Sequence, residues 1–261
     1  MSPAPALFVS HGSPMFAIEP GRLGPQLAAL GRTLGGVRAM VVMSPHWQTR
    51  GLQVMATRRP STVHDFGGFP EALYRLRYDA PGAPDIAGEV IAALRDAGLD
   101  AMPDATRGRD HGAWVPMMHL RPQADLPVIQ VSLPHDADAA FAFKLGRALA
   151  PLRARGVMLV GSGSLTHNLY ELRGGVRDPE YAQQFEDWVR DVIARGDVDA
   201  LIGYRTRAPH AERAHPTDEH FLPLPFALGA ANGDASQWID GGMTYGTLSM
   251  GSCGWGLPQA A

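Results

Sequence analysis

Ala6-Leu7-Phe8-Val9-Ser10-His11-Gly12-Ser13-Pro14 decides how the rest of the chain is read. A short apolar run stopped by Gly-Ser-Pro marks a buried strand that ends in a loop, and the loop begins with a histidine. The arrangement recurs. Residues 39–43 repeat the apolar run and end in Ser44-Pro45-His46-Trp47, and residues 157–160 run into Gly161-Ser162-Gly163-Ser164 with His167 just beyond.

Between these runs the spacing predicts helices. Residues 22–34 place Leu23, Leu27, Leu30 and Leu34 on one face, and residues 85–97 form an amphipathic helix closed by Gly98. Further helices are expected at 111–120, at 137–155 with Gly156 as its stop, at 181–194 and at 218–231. Strands are expected at 52–56 and 127–133, and residues 237–253 should close a sheet edge. Residues 61–84, rich in Gly, Pro and aromatics, read as a long functional loop. Strands alternating with helices imply an α/β fold, with a mostly parallel or mixed central sheet covered by helices on both faces. We expect one domain over residues 1–261.

Composition narrows the chemistry. The 261 residues are 45% hydrophobic and 19% charged, with a formal net charge of −3. Such a balance gives no electrostatic reason to expect nucleic acid. Cys253 is the single cysteine, which excludes an intramolecular disulfide and thiolate-built zinc sites. Neither a secretory leader nor a stretch long enough to span a membrane is read in the sequence. These features fit a cytoplasmic enzyme whose metal, if it has one, relies on His, Asp or Glu.

Three histidines at the ends of separate strands can converge, because open α/β sheets bind ligands outside the carboxyl ends of their strands. Neutral imidazole suits Zn, Fe and Cu. A single loop histidine is more often bonded to backbone than to a metal; three in equivalent positions bring the two readings level. Pro216-Thr217-Asp218-Glu219-His220 looks like a helix start with Thr217 as N-cap, and either Glu219 or His220 could add a ligand while the other supports it. Asp110-His111 reads equally as an N-cap with a first-turn residue or as a catalytic pair. His64-Asp65-Phe66-Gly67-Gly68-Phe69-Pro70 could be an aromatic lid or a rigid loop. His119, His135, His210 and His215 lack a comparable context. Ser162 sits in Gly-Ser-Gly and not in a nucleophile elbow, and the phosphate-binding glycine patterns are missing.

Taken together, His11-Gly12-Ser13-Pro14-Met15, Ser44-Pro45-His46-Trp47, residues 64–70, Asp110-His111-Gly112, Thr166-His167-Asn168-Leu169 and Glu219-His220-Phe221-Leu222-Pro223 resemble the class III extradiol ring-cleavage dioxygenases, in the 4,5-DOPA dioxygenase-like branch of the LigB superfamily. Six stretches in order span nearly the whole chain. The resemblance implies one LigB-like catalytic domain that opens the ring of a DOPA-like catechol with O2. The implied metal, Fe(II) or Zn(II) in its place, is held by His11, His46 and His220. His167 is implied as a fourth contact or as the acid/base, and His111 as the group that stabilises or protonates the oxygen-derived anion. His64, Phe66, Phe69 and Asn168 are expected to meet the substrate. Two other outcomes share these residues: a zinc hydrolase, and a non-catalytic Memo-like binding protein.

Overall fold

The computed structural model describes residues 2–175 and 178–258. Its strands are β1 (Ala6–Ser10), β2 (Ala39–Thr49), β3 (Leu52–Met55), β4 (Ala101–Asp104), β5 (Val128–Pro134), β6 (Val157–Gly163), β7 (Ser236–Ile239), β8 (Met243–Thr244), β9 (Leu248–Ser249) and β10 (Ser252–Trp255). Eight of them form one mixed sheet in the order β4-β3-β5-β2-β6-β1-β10-β7, while β8 and β9 pair apart. The four central strands β5, β2, β6 and β1 run parallel, and antiparallel β10 and β7 close one side.

Central strands are buried on both faces, so they read as continuous apolar runs. Alternate side chains still go to opposite layers. Phe8, Val41 and Met43 join the core beneath α3 (Pro84–Asp96), α5 (Ala139–Leu149), α7 (Pro179–Arg195) and α11 (Pro223–Ala231). Leu7, Val9, Met40 and Val42 join the core shared with α1 (Leu23–Thr33) and α4 (His111–Leu120). Short helices fill the connections: α2 (Glu71–Arg75), α6 (Leu169–Arg173), α8 (Val198–Ile202), α9 (Tyr204–Arg207) and α10 (Ala211–Ala214). No helix among the described residues is long and apolar enough to cross a membrane.

The predicted α/β architecture, a mixed sheet between helical layers, is the one observed. Several boundaries move, for identifiable reasons. His46 lies within β2 and not beyond it: the strand continues to Thr49, and its pairing with β5 shifts register between Met43 and Gln48. Gly161-Ser162-Gly163 is strand and not loop, because it pairs in register with Phe8, Val9 and Ser10. The helix expected over 137–155 gives way at Ala150 to a 3-10 turn over Ala150–Arg155, where Pro151 has no N–H to donate. Residues 101–104, for which the sequence spacing predicts no element, form the edge strand β4. The long loop at 61–84 carries one short helix, α2.

The helix expected from residue 218 begins instead at Pro223, a residue suited to a first helical position. Thr217 does not cap it; its hydroxyl donates to Glu219 Oε1 at 3.0 Å. Glu219 and His220 therefore sit in turns.

Candidate active site

Five imidazoles gather at the carboxyl ends of the central strands. His11 follows β1, where Gly12 turns the chain at φ +60° and a side chain would strike Met250. His46 comes from the bulged end of β2, and His111 opens α4 behind the buried N-cap Asp110. His167 follows β6, and His220 arrives on the turn before α11. Ring centroids lie 5.1 Å apart for His11–His46, 5.5 Å for His11–His220 and 5.0 Å for His46–His220. His111 is 4.0 Å from His46, and His167 lies flat against His220 at 3.4 Å. The sequence expectation that distant histidines converge is met.

Hydrogen bonding shows which ring nitrogens face inward. Ser162 Oγ donates to the Gly112 carbonyl, so it can only accept from His11 Nδ1, 2.9 Å away. That places the His11 proton on Nδ1 and leaves a lone pair on Nε2. His220 Nδ1 lies 2.9 Å from Glu219 Oε1, and an ionised carboxylate accepts only, so Nδ1 carries the proton. The opposite nitrogen, His220 Nε2, is buried and has no hydrogen-bond partner among the described residues. Between Glu219 and His220, then, the imidazole presents a lone pair inward and the carboxylate stands behind it.

An inward lone pair at His220 without a hydrogen-bond partner is costly unless something meets it. His11 Nε2 and His46 Nε2 are 3.3 Å apart. Two nitrogens bound about 2.1 Å from one ion at tetrahedral or octahedral angles are separated by roughly 3.0–3.4 Å. The donor set fits a divalent metal of the kind imidazole favours. By distance alone, His11, His46 and His111 form one candidate ligand group, and His167, Glu219 and His220 a second.

Burial keeps His11, His46, His167 and His220 neutral. Burial, then the neighbouring imidazoles, pushes His11 and His220 well below the ordinary histidine value. The same causes bring His46 down to about 4 and His167 to about 3. Neutral imidazole is the form that ligates. Asp65 is held at about 2: burial opposes its ionisation, but contact with the His111 ring and backbone N–H prevails. Its Oδ2 lies 3.0 Å from His111 Nδ1, off the line of a directed hydrogen bond, and 3.6 Å from His46 Nδ1. Nothing in the spacing of residues 64–70 marks Asp65 as the partner of His111, 46 positions away.

A cavity of about 480 Å³ opens over the cluster, lined among others by Pro14, Phe66, Phe69, Leu169, Leu172 and Leu248. His46, His111, His167 and His220 form its polar floor. Of the residues expected to meet a substrate, Phe66 and Phe69 line this space. His64 does not; it packs against Trp114 and Tyr74, with Nε2 3.2 Å from the Leu76 carbonyl. Asn168 does not either. Its side chain accepts from Glu171 N–H and donates to the Arg213 carbonyl, capping α6. His119 and His215 are anchored to the carbonyls of Phe16 and Leu165, and His210 to Gln184.

The family model for the catalytic LigB subunit of aromatic ring-opening dioxygenases matches residues 5–254. The chain is 39% identical to a 4,5-DOPA dioxygenase extradiol of Escherichia coli K12, over 94% of this chain and 92% of that protein. It is 37% identical to one from Beta vulgaris, over 94% and 96% respectively. A crystal structure of an uncharacterized Escherichia coli K12 protein superposes with a TM-score of 0.79 at 32% identity, covering 97% of this chain and all of that one. With family residues from the first strand to the last and the histidine cluster on the sheet's carboxyl edge, the chain belongs to the LigB family.

Proposed function

We propose that the protein is an extradiol dioxygenase that opens the ring of a DOPA-like catechol with O2 at a single non-haem Fe(II). The observation that carries this reading is the set of inward, unprotonated imidazole nitrogens beneath a cavity of about 480 Å³, roomy enough for a substituted single-ring catechol. His11, His46 and His220 would hold the metal. A redox-active divalent ion there supplies Lewis acidity toward the diol and an electron route to O2, which zinc cannot provide.

The chain's own residues do the rest. Phe66 and Phe69 give the cavity an apolar wall against which an aromatic ring can pack and from which water is displaced. His167 is neutral at pH 7 and so can accept a phenolic proton; negative charge developing beside it favours its protonated form. Its stacking on His220 fixes where that proton is taken up. His111 has the Asp65 carboxylate at its back, its Oδ2 3.0 Å from Nδ1, which orients the ring toward the cavity so that it can stabilise an oxygen anion there.

The test is oxygen uptake by protein loaded with Fe(II) under anaerobic conditions and then given a panel of catechols. Consumption of one O2 per catechol with a yellow ring-opened product is expected, and zinc-loaded protein should consume none. An iron-bound protein that takes up no O2 with any catechol would overturn the proposal.

A further inference from the structure

The segment Gly161-Ser162-Gly163 is not accounted for by nucleophile or phosphate chemistry, yet its contacts reach two of the proposed ligands. On one side, the Gly163 carbonyl accepts from the His11 backbone N–H at 2.9 Å. Ser162 Oγ accepts from His11 Nδ1 at 2.9 Å and donates a hydrogen bond to the Gly112 carbonyl at the start of α4. On the other side, the Ser164 backbone N–H donates to the His220 carbonyl at 2.9 Å. A Cβ at Gly163 would overlap the His220 carbonyl oxygen, and one at Gly161 would overlap that of Pro223. All three residues are fully buried in the sheet.

From these contacts we propose that Ser162 is a positioning residue that fixes His11 as its Nδ1–H tautomer, and that the flanking glycines let the His220 turn seat against the same strand tip. The inference rests on the reading of His11 and His220 as metal ligands. It explains why a serine between glycines stands where a central strand would ordinarily carry a bulky apolar side chain. The hydroxyl is small enough to sit under His11, and it can both accept and donate in one direction only. A metal ligand's outer hydrogen bond sets its ring orientation and tautomer, and losing it typically costs 10–100-fold in metal affinity.

Two measurements test this. In the wild-type protein without metal, long-range 1H–15N correlations of the imidazoles should report His11 as the Nδ1–H tautomer; the Nε2–H tautomer would overturn the proposal without any variant. In the second, Zn(II) affinity is measured by competition with a chromophoric chelator. Ser162→Ala should weaken it roughly 10–100-fold, and Ser162→Thr, which keeps the hydroxyl, should recover most of the loss. An affinity for Ser162→Ala equal to wild type would overturn the positioning role. His11→Ala, measured alongside, separates the two failures. If it abolishes tight binding while Ser162→Ala does nothing, the ligand reading stands and the serine's role falls. If His11→Ala binds as wild type, both fall.

Discussion

At the scale of single residues, the two members of the His167–His220 stack have different surroundings. Both line the cavity, but only His220 has a carboxylate bonded behind Nδ1 and an Nε2 buried without a hydrogen-bond partner among the described residues. We therefore expect His167→Ala to keep its metal and lose most turnover, by the roughly 10²–10⁴-fold that a positioned proton-transfer group supplies. Metal content by elemental analysis together with steady-state kcat checks this; full activity in the variant would remove His167 from the mechanism. His11, His46, His167 and His220 were legible in the sequence because each stands beside a strand end or within a distinctive motif. Asp65 and Ser162 were not recognised as partners. Each acts through a residue far away in the chain, at separations of 46 positions for Asp65–His111 and 151 for Ser162–His11, and local spacing does not encode such pairs.

At the scale of elements, the strand–helix alternation and most helix spans follow from apolar periodicity, and the structure keeps them. What periodicity missed was set by close packing. The tip of β6 reads as a turn because Gly and Ser dominate it, yet it is strand, paired in register with β1; glycine stands there because α11 and the turn before it leave no room for a side chain. Gly161→Ala is accordingly expected to destabilise the fold by about 1–3 kcal/mol, the usual cost of overpacking a core, measured as a lower urea midpoint at unchanged m-value. An unaltered midpoint would show that the contact between β6 and α11 relaxes freely. The turn at residues 216–222 was read as helix because Thr217 and two acids imitate an N-terminus. There the Thr217 hydroxyl is engaged with Glu219, and Pro223 sets the true start.

At the scale of the whole molecule, folding buries several imidazoles in neutral form. Burial holds His215 at about 3, His167 at about 3 and His46 at about 4, against roughly 6.5 in an unfolded chain. Between those values the unfolded state binds more protons, so stability is full above about pH 6.5 and falls as pH drops toward the folded values. A single such imidazole removes about 2–3 kcal/mol over the two units below 6.5. Urea unfolding of chelator-treated protein at pH 7.5, 6 and 5 should show a steadily falling midpoint; equal midpoints would contradict the buried neutral state.

The proposed chemistry depends on which imidazoles hold the metal. Anomalous diffraction from crystals grown anaerobically with Fe(II) addresses this directly. One peak is predicted about 2 Å from the Nε2 atoms of His11, His46 and His220, with His111 and its Asp65 partner outside bonding distance. A peak bonded to His11, His46 and His111 with His220 left free, or no peak in the cluster, would contradict it.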